Sequence, residues 1–122
     1  MVKTKLKPIL PSLREKKRYL AFEVISKDKV SDINKVSEAI SRSASDFLGR
    51  LEASKAGIIV LNNKWDAELQ RGILKTGHRH VDAAKSALAF IDKVDSKEVI
   101  FRSIGVSGIL RKAEAKYLKT AS

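Results

Sequence analysis

Ser12–Val24, "SLREKKRYLAFEV", passes within one residue from a dense run of cations to the alternation of a half-buried strand. From Arg18 to Ser26, Leu20, Phe22 and Val24 fall on one face and Tyr19, Ala21 and Glu23 on the other. A two-residue period is what a strand with one core-facing side requires. A sheet therefore begins where the charge ends, and the rest of the chain is read outward from that junction. Upstream, Met1–Pro11 is basic, punctuated by prolines and without periodicity, and Ser12 is placed to cap a short helical turn through "LREKK".

Downstream, "SDINKVSEAISRSASDFLG" sets Ile33, Val36, Ile40, Ala44, Phe47 and Leu48 at three- and four-residue steps. It predicts a long helix with Gly49 as its left-handed stop. "AGIIVLNN" and "ELQRGILKT" are apolar runs of strand length, joined by "NKWDA" as a hairpin loop. Val81, Ala84, Leu88 and Ile91 predict a second long helix over Arg79–Asp92. "KEVIFRSIGV" then supplies a fourth strand, and "SGILRKAEAKYLKT" a terminal helix after a glycine turn.

The order βαββαβ predicts an α+β fold, an RNA-recognition-like (ferredoxin-like) sandwich of a four-stranded antiparallel sheet with two long helices on one face. Residues 1–17 form a basic leader and residues 18–122 a single domain that includes the C-terminal helix. The second face is open. Strand two, "IIVL", is apolar on both sides, so either Ile58 and Val60 or Ile59 and Leu61 face away from the helices. The terminal helix, through Ile109, Leu110, Ala113 and Tyr117, is expected to cover part of that face and leave the rest to a partner.

Charge is strongly segregated. The 122 residues carry a net +11. Met1–Arg18 holds seven basic residues and one acid, Ile109–Ser122 holds four and one, and the middle is close to neutral with 14 and 12. Cationic ends on a near-neutral body are the footprint of a polyanion binder, since solubility needs charge but not its segregation. The apolar fraction of 43% is enough for one packed domain, and the absence of cysteine excludes a disulfide framework, a zinc ribbon and a thiol nucleophile. The Lys-rich start is not followed by a signal-peptide apolar core and no apolar run has the length of a membrane span, so a cytoplasmic protein without membrane attachment is expected.

Catalytic chemistry finds little support. His78 and His80 in "TGHRH" are the two histidines, with no third ligand at metal-site spacing. No carboxylate pair, phosphate loop or nucleophile elbow is visible, so catalytic and metal sites are expected to be absent and the function to be binding. The strand order suggests an RNA recognition motif, but "QRGILKT" carries Arg71 and Gly72 with no stacking aromatic, and on strand one Tyr19 is the one aromatic that faces outward. Contacts to phosphate and RNA shape are favoured over base stacking.

Four patches in order, "LPSLREKKRYLAFEV", "AGIIVL", "RGILKTGHRHVDAAKSALAFI" and "VIFRSIGVSGILRKAEAKYL", give the chain its family likeness. It resembles the archaeal and eukaryotic ribonuclease P protein component 2 family. The basic-to-strand junction and the "GVSGILRK" turn are the specific parts. The resemblance implies a non-catalytic subunit of the ribonucleoprotein that removes the 5′ leader from precursor tRNA. The ribonuclease P RNA would carry the catalysis and Mg2+ would serve that RNA; the chain itself would bind no cofactor. It further implies a partnership with ribonuclease P protein component 3 and other subunits, with a homodimer or 2:2 heterotetramer as possible assemblies.

RNA contact is expected at Arg14, Lys16, Lys17, Arg18, Arg71, Arg79, Arg111 and Lys112, and protein contact at Ile59, Leu61, Ile109 and Tyr117. In the terminal turn the chain departs from the small polar residue expected there: Ile109 suits burial rather than RNA contact. The competing classes are a stand-alone RNA-binding or ribosome-associated module, which would carry a polar or aromatic open face, and a small ferredoxin-like enzyme, which would need a convergent polar site.

Overall fold

The computed structural model describes residues 16–118. Eight regular elements follow one another: β1 (Lys17–Ser26), α1 (Ile33–Ala56), β2 (Ile59–Val60), β3 (Arg71–Gly77), α2 (Val81–Ala89), β4 (Lys93–Val94), β5 (Lys97–Ser107) and α3 (Leu110–Tyr117). They form one five-stranded sheet in the order β2-β3-β1-β5-β4. β1 lies at its centre, antiparallel to both β3 and β5.

The α+β class and the antiparallel sheet agree with the sequence reading, but the sheet has five strands rather than four. The added strand is Lys93–Val94, which folds back on Lys97 and Glu98 through Asp95 and Ser96. Both of these residues have positive φ, 51° and 66°, the backbone of a two-residue primed hairpin turn. No glycine marks that turn, and the absence hid it. Neither helix boundary holds as read. Gly49 does have left-handed φ, 82°, but it kinks α1 instead of ending it, and the helix runs on to a left-handed cap at Gly57. α2 is nine residues long, because His78–His80 form a 3-10 turn before it and Asp92 accepts the Val99 amide just after it.

The sheet separates two cores. On one side α1 and α2 bury Leu20, Phe22, Val24, Val36, Ile40, Leu74, Leu88 and Phe101. The helical stripe leaves this core at Phe47, which instead packs on Phe90 at the exposed rim, with ring centroids 4.8 Å apart. Gly72 is required inside the core, since a Cβ there would come within 2.7 Å of the Phe22 ring. On the other side α3 buries Ala21, Ile73, Ala113 and Leu118. Ala21 is therefore buried although it points away from Leu20 and Phe22: the strand is covered on both faces at this point. The helical turn expected around Ser12 lies outside the described residues, and Lys17 already belongs to β1.

Candidate nucleic-acid interface

Backbone pairing holds the N-terminal cations. Lys17 lies opposite Gly77 and Arg18 opposite Thr76 in the β1–β3 ladder, and the Lys16 carbonyl accepts the His78 amide at 2.7 Å. Side chains on such a ladder start from fixed Cα positions, so less freedom is lost when they meet a rigid anion. The Lys17 ammonium reaches toward Gly57, the cap of α1. There the unpaired carbonyls of a helix end favour a cation. Arg79 is exposed in the 3-10 turn just beyond Gly77, so β3 delivers it to the same end of the sheet.

The terminal cations reach that end by a different route. Tyr19 pairs with Ser107, which sets the turn after β5 beside the start of β1. The Arg18 guanidinium donates to the Lys17 carbonyl at 3.0 Å and lies 3.5 Å from where a Gly108 Cβ would stand. The Ser107 hydroxyl closes the turn, accepting the Ile109 amide at 3.1 Å and donating to its carbonyl at 3.0 Å. α3 then begins with no acid in its first turn, and Arg111 and Lys112 are exposed there. Lys16, Lys17, Arg18, Arg79, Arg111 and Lys112 thus gather around one end of the sheet from three separate parts of the chain. Arg14 lies outside the described residues.

Arg71 stands apart from this group. It opens β3 at the opposite end of the ladder, where its Nε donates to Glu23 at 3.3 Å and its Nη1 donates to the Tyr117 carbonyl at 3.0 Å. Glu23 is shared with Arg102 at 2.6 Å. Two of the Arg71 donors are thus engaged within the protein.

Rows of residues cross the open face. One runs Ile59, Lys75, Tyr19, Ser107, and the next carries Ile73, Ala21 and Gly105 beneath α3. Ile58 and Val60 pack on the main core, which resolves the outward pair as Ile59 and Leu61. Leu61 is partly buried against α3, whereas Ile59 remains 52% exposed. Tyr117 lies over Gly105 so closely that a side chain at 105 would collide with its ring. Ile109 corrects the sequence reading: it is 52% exposed, and α3 packs through Leu110, Ala113, Tyr117 and Leu118 instead. Its position in the extended turn ahead of the helix carries it past the sheet.

Lys75 was missed. The alternation of β3 that places Ile73 outward places Lys75 outward too, and the register then sets it between exposed Ile59 and Tyr19. Among the described residues no group of three or more His, Cys, Asp or Glu is gathered to hold a metal ion, and no helix is long and apolar enough to cross a membrane. The arrangement suits an extended polyanion met by fixed cations, with an apolar strip alongside.

Comparisons with known proteins converge on one family. The model of the Rpp14/Pop5 family matches residues 18–118. A relative named ribonuclease P protein component 2 from Methanosarcina acetivorans is 41% identical over 114 residues, covering 93% of this chain and 83% of that protein. One of the same name from Thermococcus kodakarensis is 34% identical over 119 residues, covering 96% and 95%. A chain in the cryo-EM structure of yeast ribonuclease MRP shares the fold, with a TM-score of 0.61 at 10% identity over 78% of this chain and 76% of that one.

Proposed function

Since this chain belongs to the Rpp14/Pop5 family, we propose that it is a non-catalytic protein subunit of a ribonuclease P-type ribonucleoprotein. Its substrate, precursor tRNA, is cleaved by the RNA of the complex, and its own part is to bind and stabilise that RNA. The observation that carries the RNA-binding role is the convergence of Lys16–Arg18, Arg79, Arg111 and Lys112 at one end of the sheet, held by the β1–β3 and β1–β5 ladders. These cations contact phosphate. Arg71 acts at one remove, holding α3 against the sheet. Mg2+ is bound by the RNA, and the complex is cytoplasmic.

The protein partner sits on the open face beside α3, where Ile59 is exposed and Leu61 and Tyr117 form the floor. Protein component 3 is the occupant we propose, in a 2:2 arrangement built on two copies of this chain. The competing reading, a stand-alone RNA-binding module, is disfavoured by the aliphatic character of Ile59 and Leu61, because a lone RNA binder gains more from polar or aromatic groups there. Affinity purification of the full chain from native extract, followed by mass spectrometry and RNA sequencing, tests the proposal. Co-purification of ribonuclease P RNA and further protein subunits is expected; recovery of ribosomes or mixed RNA without them would overturn it.

A further inference from the structure

β5 has an open flank. On one side Val99–Ser107 pairs with β1, and on the other β4 pairs only with Lys97 and Glu98, with the Val99 amide donating to Asp92 just beyond. From Ile100 onward no described residue pairs with that side. The direction of its backbone groups follows from the ladder. Val24 donates toward β3, so Glu23 and Ile25 point toward β5, and their partners Arg102 and Ile100 point back to β1. Phe101 and Ser103, together with Val99, therefore turn their N–H and C=O groups outward.

Side chains at this flank repeat the pattern of an interface. Ile25 and Ile100 face each other across the ladder on the open face, 45% and 63% exposed. Beside them is a groove of about 440 Å³ lined by Lys27, Asp92, Lys93, Glu98, Val99 and Ile100 among others. Its two cations and two acids balance, unlike the cationic end of the sheet, so a polyanion gains nothing here. An unpaired ladder of alternating donors and acceptors is complemented by another extended polypeptide.

We propose that the outer edge of β5 from Ile100 to Ser103 receives an added β-strand from a partner protein, one that places a large apolar side chain against Ile100 and the groove. This rests on the reading of the chain as one subunit among several proteins. The chain's own leader is a poor occupant, since Pro8 and Pro11 lack the N–H a ladder needs.

Residue-resolved hydrogen exchange on the full chain, alone and within the reconstituted holoenzyme, tests this. On assembly with the protein partners the Phe101 and Ser103 amides are expected to slow by at least tenfold. Ile100 and Arg102, already bonded to β1, should change little. That alternation is the signature of strand addition and is not produced by side-chain packing. The Ile100→Lys variant should fold normally and weaken partner binding about tenfold. Unprotected Phe101 and Ser103 in an otherwise assembled holoenzyme would overturn the inference while leaving the subunit reading intact. Protection by RNA alone, by raising the concentration of the isolated chain, or by the leader in the dilute chain would overturn it as well. Failure to assemble with RNA or proteins at all would instead remove the subunit reading itself.

Discussion

Arg71 on β3 donates to the backbone carbonyl of Tyr117 at the end of α3, 3.0 Å away across 46 positions of sequence. That bond joins the sheet to the helix that covers it. With Lys64 paired to Glu114 at the helix middle and Tyr117 seated on Gly105, it fixes α3 at three points. α3 in turn buries Ala21 and Ile73 and leaves Ile59 uncovered, so the helix sets how much of the open face a partner can reach.

Replacing Arg71 with Ala should cost about 1–3 kcal/mol of stability, the range for leaving a buried hydrogen-bond partner unsatisfied. Glu23 keeps Arg102, which limits the loss. The salt dependence of RNA binding should be unchanged, because this guanidinium is engaged by Glu23 and the Tyr117 carbonyl. Urea denaturation and filter binding at several salt concentrations measure the two effects; a reduced salt slope would show that Arg71 contacts phosphate directly.

Gly105→Ala should destabilise the protein by about 1–3 kcal/mol through overpacking against Tyr117. In a Tyr117→Ala background the same change should be much cheaper, since the occupant of the seat is gone. A double-mutant cycle by chemical denaturation reads the coupling. Independent effects at the two sites would mean that the ring and the glycine do not touch.

The Lys16, Lys17 and Arg18 triple substitution to Ala should leave the circular dichroism spectrum intact and flatten the salt dependence of RNA binding. Each phosphate that is no longer neutralised by a side chain lowers the slope of log K against log salt by about 0.7–0.9. An unchanged slope would place these side chains away from the RNA.

Ile59→Asp puts a carboxylate on an exposed position of the edge strand β2. The free chain should lose less than about 0.5 kcal/mol, as surface changes usually do. If protein component 3 is the partner on this face as proposed, its association should fail, because a buried unpaired carboxylate is expensive wherever a partner excludes water. Gel filtration with the partner decides it: a normal complex would remove Ile59 from the interface.

Much of this was legible before the structure. The alternation through Leu20, Phe22 and Val24 places β1, and the charge segregation sets the cationic ends apart from the near-neutral body, because both are local properties of residue order. The register was not legible. Whether Ile59 or Ile58 faces outward depends on which residues of β3 pair with β2, and a strand apolar on both sides carries no signal of its own. Arg71 illustrates the same limit within the site. By residue type it belongs with Arg18 and Arg79, and only the tertiary structure shows it bonded to Glu23 and to the Tyr117 carbonyl.

Residue order alone specifies a basic, cysteine-free α+β domain whose first strand follows directly on its cations, because composition and periodicity need no distant partner to be expressed. Which cations gather at one end of the sheet, where the sheet ends and how far its open face is covered emerge on folding. Those depend on ladders between residues far apart in the chain, on a left-handed turn at Asp95 and Ser96 without glycine, and on the seating of Tyr117 over Gly105.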